Sequence, residues 1–422
     1  MRILFLCHRI PYPPNKGEKI RSFHQLRALA ARHEVDLFTL ADDPDDLAHR
    51  EALSAHCRQL TIARVFPKLA RLRSLPYLVT RTPLTIPYFH SAWLRAQIRE
   101  AMERTKYDRI FVYCSAMAQY VDWPRRPSNV PVILDIVDVD SNKWSQYAAA
   151  RHFPFSAVFR KEARDLRAFE QRVCEASTCV LVSTDREAQL AREIAPAARI
   201  HVVRIGVDIH RFEPCAADAG GVPTVIFTGD MGYFPNQEGA IFFAREVLPI
   251  VHRTLPNARF LIVGRRPDRR VEELRHLRNV EVTGSVPDVR PWLARASVAV
   301  APLRIAAGIQ TKILEAMAAG LPVVATSRAV QGLTASVAEM ILTADAPEQL
   351  AAHVVNLLRS PAETHQRGLE GRRRIACEYS WDTALGKLLQ LVEDPSGSVA
   401  SGRPIDDVEC PIAFEQPSAV RG

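Results

Sequence analysis

The sequence has no apolar run as long as the about 20 residues that a helix needs to span a lipid bilayer. It begins directly with a strand-like run, so we expect no secretory signal peptide. Its eight cysteines form no CxxC pair and no Cys/His spacing of a metal site. Because the closest two, Cys174 and Cys179, lie in or beside apolar segments, we expect buried free thiols and a reducing, cytoplasmic location.

Acidic residues are also absent from Arg58 to Arg99, although this basic segment carries eight cations interleaved with large apolar residues such as Leu72 and Trp93. A segment of this kind can lie on an anionic membrane surface, where each cation contributes about 1 kcal/mol. The alternative is a solvated basic face above ordinary core residues. No recognition motif supports a nucleic-acid partner, and we expect none.

Hydrophobic residues make up 47% of the chain and charged residues 24%, as in ordinary soluble globular proteins. The 422 residues suffice for about two domains, each with its own core. Short apolar runs alternate with helical patterns from residue 3 onward, and the same rhythm restarts at residue 224 after a turn-rich linker. This rhythm predicts an α/β fold of two doubly wound, Rossmann-like domains that face each other across a cleft, with ligands at the carboxyl ends of the strands.

The most informative stretch comprises residues 301–326, where an apolar strand leads into a loop with Arg304 and Gly308, followed by a helix predicted over 309–319. A strand, a glycine-bearing loop and a helix start form an anion site, because free backbone N–H groups and the helix dipole converge there. Lys312 and Glu315 share one face of the first turns. A cation at this position suits a diphosphate, and a carboxylate one turn later suits sugar hydroxyls.

This stretch resembles the motif of retaining GT-B glycosyltransferases of the family 4 type, and the resemblance extends over most of the chain. The opening residues 2–22 are similar to bacterial sugar transferases of exopolysaccharide and PEP-CTERM systems. The resemblance implies a hexosyltransferase that needs no metal and no cofactor and uses a nucleotide-diphosphate sugar as co-substrate. Its acceptor would be a polysaccharide or a lipid-linked glycan, the alternative being a small soluble alcohol. The enzyme would be cytoplasmic, either free in solution or bound as a peripheral protein to the inner face of the plasma membrane.

The same resemblance sets the predicted domain limits. The N-terminal, acceptor-binding domain is expected over residues 1–208 and the C-terminal, nucleotide-sugar-binding domain over 209–376. A last helix, within 377–394, should return to the N-terminal domain. The tail 395–422 is rich in Ser, Gly and Pro, and we predict that it is disordered.

Specific roles follow from the matching positions. The resemblance implies that Arg304 and Lys312 contact the donor phosphates and that Glu315 binds the nucleotide ribose, and we predict these three as the catalytic residues. Further substrate-binding positions are expected in the loops of the C-terminal domain, namely at Gly229, Asn236, Gly264, Arg265, Val286, Pro287, Gly308, Ile309 and Gln310. In the N-terminal domain they are expected at the donor–acceptor junction, namely at Asn15, Lys16, Gly17, Arg21 and Asp138.

Two departures from the family pattern bear on the donor. Ala307 stands where the family usually has a glutamate that contacts the donor sugar, so the identity of the sugar stays open. The first loop of the C-terminal domain has Asp230 and Asn236 where many relatives carry an arginine and a lysine. Arg265 and Arg266 could compensate for them or could be merely exposed basic residues.

Three other hypotheses compete with this interpretation. Asp138 and Asp140 could pass for the metal-binding DxD of GT-A enzymes, but we predict that Asp138 touches sugar or acceptor without metal and that Asp140 and Ser141 belong to a turn or helix cap. An NAD-dependent oxidoreductase would need a Gly-x-Gly-x-x-Gly turn, which is absent after residues 3–7 and after residues 225–228. Ala307 keeps open a catalytically inactive nucleotide-sugar-binding protein.

Overall fold

A computed structural model describes residues 1–14, 17–123, 129–149, 151–214, 221–306 and 308–395. The chain divides into two compact units, of which unit 1 contains Met1–Arg204 and the residues from Ala384 to 395, and unit 2 contains Ile205–Thr383. Asn15, Lys16, Ala307 and all but the first residue of the predicted tail lie outside the described residues.

Unit 1 is built on a parallel sheet of seven strands in the order β3-β2-β1-β4-β5-β6-β7. The strands are β1 (Arg2–Cys7), β2 (Glu34–Ala41), β3 (Gln59–Arg64), β4 (Arg109–Tyr113), β5 (Val132–Val137), β6 (Cys179–Val182) and β7 (Ile200–Val202). Its helices are α1 (Gly17–Ala30), α2 (Arg50–Ser54), α3 (Pro67–Ser74), α4 (Thr85–Tyr88), α5 (Ala92–Arg104), α6 (Asp140–Ala149), α7 (Phe155–Ala176) and α8 (Asp185–Ile194).

The central strands of this sheet are apolar on both sides because each side packs against its own core. Along β1, Leu4 and Leu6 enter one apolar cluster while Ile3 and Phe5 enter the other. Successive side chains of a strand point to opposite faces, so a run without polar alternation is what a sheet covered on both faces requires. The continuous apolar run of β1 therefore agrees with its position inside the sheet, between β2 and β4.

Unit 2 repeats the arrangement with six parallel strands in the order β10-β9-β8-β11-β12-β13. The strands are β8 (Thr224–Thr228), β9 (Arg259–Val263), β10 (Val280–Gly284), β11 (Val298–Ala301), β12 (Val323–Ala325) and β13 (Leu342–Thr343). Its helices are α9 (Phe234–Phe242), α10 (Leu248–Thr254), α11 (Arg269–Glu272), α12 (Arg290–Leu293), α13 (Thr311–Ala318), α14 (Ser327–Val330), α15 (Ala335–Ala338), α16 (Pro347–Arg359) and α17 (Pro361–Tyr379), followed by α18 (Trp381–Glu393), which begins in this unit. A π-helical turn, Phe243–Val247, joins α9 to α10.

The last helix, α18, belongs mostly to unit 1. From Ala384 onward it is part of that unit, and Leu388, Leu389 and Val392 lie in the same apolar cluster as β1. The side chain of Arg109 on β4 donates a hydrogen bond of 2.8 Å to the carbonyl of Val392. Residues of α18 thus complete the apolar core on one face of the N-terminal sheet.

Two further observations concern membrane spans and cysteines. No helix among the described residues is long and apolar enough to cross a membrane. Five described cysteines, Cys7, Cys57, Cys114, Cys174 and Cys179, are free thiols, whereas Cys377 is disulfide-bonded. The expectation of free thiols throughout is therefore wrong at Cys377.

The substitution Leu388→Ala should lower the free energy of unfolding of unit 1 by about 2–5 kcal/mol, because it removes a fully buried side chain and leaves a cavity. Chemical denaturation followed by circular dichroism measures the change. Gln390→Ala, at an exposed position of the same helix, is the matched control and should change little. Equal small effects of the two substitutions would contradict the packing of α18 in unit 1.

Candidate functional site

The strand order of unit 2 locates the site. In the sheet, β8 lies between β9 and β11, so the chain direction of the connections reverses between β8 and β11. In open parallel sheets this switch point leaves a crevice at the carboxyl ends of the strands, where ligands bind. The loop after β8 holds residues 229–233, and the loop after β11 holds residues 302–310 and leads into α13.

Lys312, in the first turn of α13, is the centre of this crevice. Its Nζ atom donates hydrogen bonds to Oδ1 of Asn236 at 2.9 Å and to Oε1 of Gln310 at 3.3 Å. The same Nζ lies 5.6 Å from the centroid of the Phe227 ring on β8. Burial lowers the pKa of Lys312 to about 8, although the nearby Glu315 carboxylate raises it. This ammonium group is therefore partly withdrawn from water and bonded to neutral oxygen atoms.

Glu315 lies one turn further along α13. Burial raises the pKa of its carboxyl to about 7, and the positive charges of Lys312 and Arg211 oppose this increase. The start of α13 has Gln310 at the N-cap with no side-chain cap hydrogen bond in the described part of the chain. Lys312 and Glu315 thus lie in the first two turns of a helix whose start the Gln310 side chain does not cap.

Close backbone packing explains several of the predicted glycines. A Cβ atom at Gly264 would lie 1.6 Å from the carbonyl oxygen of Gly229, so the loops after β8 and β9 touch at these two residues. A Cβ atom at Gly229 would lie 2.8 Å from Nδ2 of Asn236. Gly308 has a positive φ of 61°, which favours glycine, and the carbonyl of Gly308 packs against Gly332. Glycine at these positions lets the loops meet around Lys312.

Asp230 pairs with both arginines of the loop after β9. Its Oδ2 atom lies 3.2 Å from Nε of Arg265 and also contacts Arg266. Burial opposes ionisation of Asp230, but the hydrogen bonds from Arg266 and from the backbone of Gly232 lower its pKa. The two arginines are therefore ion-paired with Asp230 in this structure, a contact that neither sequence hypothesis for them included.

The remaining predicted residues of unit 2 lie in the loops after β10 and β11. The guanidinium carbon of Arg304 lies 5.4 Å from the centroid of the Phe242 ring on α9, and its side chain is exposed. Val286 and Pro287 are in the loop after β10. Arg290, the first residue of α12 after this loop, donates a hydrogen bond of 3.3 Å to the carbonyl of Arg211. Ile309 and Gln310 immediately precede α13 and are partly exposed.

Arg21 in unit 1 is enclosed rather than open to a ligand. The residue is 1% exposed. Its Nε donates to Oδ2 of Asp135 at 2.9 Å, and its Nη1 donates to the carbonyl of Val203 at 2.6 Å. Gln25 donates to the same carboxylate oxygen at 2.6 Å. This arrangement fits an ion pair that joins α1 to β5 and does not favour direct contact of Arg21 with substrate. Gly17 begins α1.

Asp138 lies at the carboxyl end of β5, where its Oδ1 accepts a hydrogen bond of 2.7 Å from the hydroxyl of Ser183. The preceding Val137 has a φ of 65°, a conformation that β-branched residues rarely adopt. Asp140 is the first residue of α6. Among the described residues, no three His, Cys, Asp or Glu side chains are grouped so that they could hold a metal ion.

The start of α6 is occupied by carboxylates of unit 1 itself. Glu187 accepts a hydrogen bond of 2.7 Å from the backbone N–H of Val139, and Glu170 accepts one of 3.3 Å from that of Ser141. Burial raises the pKa of Glu170 to about 8. This helix start is therefore already bonded to protein carboxylates, in contrast to that of α13. Sequence reasoning included neither glutamate.

Sequence reasoning also missed three residues of the site in unit 2. Arg211 follows β7 in an irregular segment, and its charge acts on Glu315. Phe227 and Phe242 lie beneath the cations Lys312 and Arg304. Both phenylalanines belong to ordinary apolar runs, so no local pattern distinguishes them from core residues.

Two Rossmann-like units, one with a lysine in the first turn of a helix at its switch point, are typical of the class of proteins that bind phosphate-bearing ligands. Comparison with known families gives the particular class. The model of the glycosyl transferase 4-like domain matches residues 17–206, and that of glycosyl transferases group 1 matches residues 222–360. Together they span most of the chain, which belongs to the group 1 glycosyltransferases and is a glycosyltransferase. The hypothesis of a dinucleotide-dependent oxidoreductase is therefore wrong.

Curated relatives are distant in sequence. The chain is 22% identical to the "Uncharacterized 44.6 kDa protein in cps region" of Klebsiella pneumoniae, over 89% of this chain and 93% of the relative. It is 26% identical to the GDP-mannose-dependent alpha-(1-6)-phosphatidylinositol monomannoside mannosyltransferase of Mycobacterium tuberculosis (strain CDC 1551 / Oshkosh), over 50% of this chain and 60% of the relative. Only the first of these two matches therefore extends over nearly the whole of both chains.

Solved structures show the fold. Sucrose-phosphate synthase from Thermosynechococcus elongatus matches with a TM-score of 0.66 at 21% identity, over 93% of this chain and 98% of that one. Anabaena HepE in complex with UDP matches with a TM-score of 0.65 at 16% identity, over 93% of this chain and all of that one. The GT-B fold expected from the sequence is confirmed.

The contact between Gly264 and Gly229 gives a direct test of the loop packing. Gly264→Ala should destabilise unit 2 by about 1–3 kcal/mol, because the added methyl group overlaps the carbonyl of Gly229. Gly386→Ala is the matched control, since a Cβ atom there meets nothing within 4 Å. The control should be neutral or stabilise by up to about 1 kcal/mol, as alanine favours a helix. Thermal unfolding of both variants measures the difference, and equal stabilities would contradict the packing.

Proposed function

We propose that the protein is a retaining, metal-independent glycosyltransferase of the hexosyl type. It moves a sugar from a nucleotide-diphosphate sugar to a polysaccharide or lipid-linked acceptor in the synthesis of exopolysaccharide or another cell-envelope glycan. Such a transfer develops positive charge on the sugar and negative charge on the departing diphosphate. The protein must therefore supply fixed positive potential at the diphosphate.

One observation carries the proposal, namely Lys312 beside the uncapped start of α13 at the switch point of unit 2. The ammonium group and the helix dipole would both stabilise the diphosphate as its bond to the sugar breaks. Arg304 would add a second cation, and Glu315 would accept hydrogen bonds from the ribose. None of these three side-chain roles needs a metal ion.

The relatives support a nucleotide-sugar donor and an envelope glycan. HepE was solved with UDP, and the mycobacterial mannosyltransferase is named for GDP-mannose, so both bases are candidates for this chain. The Klebsiella relative is described as lying in the cps region. The narrower likeness to PEP-CTERM-associated transferases depends on residues 2–22 alone.

We further propose that the basic segment, Arg58–Arg99, docks on the anionic inner surface of the plasma membrane. Helix α3 supports this, since its small residues Ala70 and Ser74 are buried while Leu69 and Leu72 are exposed. Val79, just beyond it, is 92% exposed. A helix that turns its leucines outward among cations matches an apolar, negatively charged surface.

The basic segment is joined to α7 by hydrogen bonds at residues 82–85. Glu162 on α7 is 1% exposed and accepts hydrogen bonds from the backbone N–H groups of Leu84 and Thr85 and from the hydroxyl of Thr85. Lys161 donates to the carbonyl of Thr82 at 2.8 Å. Membrane docking through such a fixed face would not require the segment to fold on binding.

Lys312→Ala should reduce turnover at least about a hundredfold, because an electrostatic group at the departing diphosphate contributes roughly 3–4 kcal/mol to the transition state. A thermal-shift screen of the wild-type protein with UDP- and GDP-sugars first identifies the donor, and sugar transfer from that donor is then measured in both proteins. Full activity of Lys312→Ala would contradict the phosphate-binding assignment. Stabilisation by a donor without any transfer would instead support the inactive binding protein.

The same assay tests metal independence. Addition of a chelator of divalent cations should leave the rate unchanged, and loss of activity that Mg²⁺ or Mn²⁺ restores would revive a metal role for Asp138 and Asp140. The matched control for Lys312→Ala is Arg359→Ala, which removes a positive charge at an exposed position at the end of α16 and should leave the rate unchanged.

Membrane docking is tested by sedimentation with vesicles at roughly physiological salt. One set of vesicles is neutral phosphatidylcholine, and the other also contains about 30% anionic phosphatidylglycerol. The wild-type protein should bind only the anionic vesicles, and Leu72→Ser with Val79→Ser should reduce binding about tenfold or more. Leu277→Ser, which changes an exposed leucine of unit 2, should bind like the wild type. Equal binding of the wild type to neutral vesicles, or none to either, would contradict the proposal.

A further inference from the structure

We propose that Asn236 is a positioning residue that presents Lys312 to the donor diphosphate as an ammonium group without a counter-ion in contact. This inference rests on the proposed function for its substrate, but the positioning itself can be measured without any donor. It replaces the predicted direct contact of Asn236 with substrate by an action through Lys312.

The orientation of the Asn236 amide is fixed at both ends. Its Nδ2 atom donates to the carbonyl of Asp230 at 2.9 Å, so its Oδ1 atom must face Lys312, to which it is bonded at 2.9 Å. The backbone N–H of Asn236 donates to the carbonyl of Tyr233 at 3.0 Å, and the residue is 5% exposed. The side chain therefore has no room to turn towards a ligand.

The amide leaves the positive charge of Lys312 available. An ammonium group has three N–H donors, of which two are directed at the neutral oxygen atoms of Asn236 and Gln310. The third can meet a phosphate oxygen. A carboxylate in the place of Asn236 would neutralise the ammonium and repel the diphosphate, and an apolar side chain would leave a partly buried charge without this hydrogen bond.

Other charged groups around Lys312 do not take over this task. Asp230 contributes its carbonyl to the network, while its carboxylate is paired with Arg265 and Arg266. Arg372 on α17 bonds the carbonyl of Ala318 at the opposite end of α13. Further charges in the described part of unit 2 are those of Glu315 on the same helix, Arg211 near Glu315 and Arg304 in the loop after β11.

The electrostatics give the expected pH dependence. Burial already lowers the pKa of Lys312 to about 8, so the hydrogen bond from its ammonium group to Asn236 opposes a further decrease. Diphosphate affinity should then decline as pH rises through about 8, where the ammonium loses its proton. Asn236→Leu should move this decline to lower pH, and Asn236→Asp should move it to higher pH.

The experiment measures the pKa of Lys312 directly by NMR in full-length protein with labelled lysine side chains. The chain has only eight lysines, and the signal lost in Lys312→Met identifies this one. We expect a pKa lower by about one unit in Asn236→Leu and higher by about one unit in Asn236→Asp, since hydrogen bonds to charged groups are worth that much. Asn356→Leu and Asn356→Asp, at an exposed position of α16, are matched controls with no expected shift.

Binding of UDP and GDP to the same proteins is measured by calorimetry between pH 6 and 9, around the pKa of about 8. Both Asn236 variants should bind the nucleotide that the wild type prefers about tenfold more weakly. Asn236→Leu removes a hydrogen bond to the ammonium group, and Asn236→Asp places a negative charge beside the diphosphate. Unchanged pKa values, or shifts in the same direction in both variants, would overturn the inference. So would unchanged nucleotide affinity in both. If the pKa values shift as expected but the wild type binds neither nucleotide, the positioning is supported and the proposed function is contradicted.

Discussion

The hydrogen bond between Lys312 and Asn236 is the interaction on which the rest of the site in unit 2 depends. A positive charge that is partly withdrawn from water needs polar support, and this bond provides it without a neutralising partner. The geometry requires α9, α13 and the loop after β8 to approach closely. Gly229 and Gly264 allow this approach because a side chain at either position would overlap its neighbours. Backbone packing and electrostatics are thus parts of one arrangement.

Much of the fold could be predicted from the sequence because parallel strands buried on both faces give continuous apolar runs. The apolar runs 109–113, 259–263, 298–301 and 323–325 predict strands, and β4, β9, β11 and β12 have these limits. The short strands β7 and β13 were missed, since two or three residues carry no recognisable period. The helix predicted over 309–319 starts two residues later, at Thr311, because Gly308 and Ile309 belong to the preceding loop. The division between the units falls after Arg204, a few residues before the predicted limit at 208.

The candidate site was predictable only where several functional residues lie in one short segment. Lys312, Glu315 and Gly308 could be found because strand, loop and helix follow each other within the motif. Arg211 and Phe227 could not, since they reach the same place through the tertiary fold and have no distinctive neighbours. The enclosure of Arg21 could not be predicted for a related reason, since its buried partner Asp135 lies 114 residues away. Asp230 shows that a residue that departs from a family pattern can still act by pairing with the cations beside it.

The outward leucines of α3 also affect how the protein behaves at high concentration. An exposed apolar row is a surface on which chains can self-associate when nothing else covers it. The cations between these leucines and the net charge of +8 keep the chains apart by mutual repulsion. Salt screens that repulsion over distances of about 8 Å at physiological ionic strength, while it does not weaken apolar contacts. The colloidal stability of the purified protein should therefore decrease with added salt, opposite to the salting-in of an ordinary globular protein.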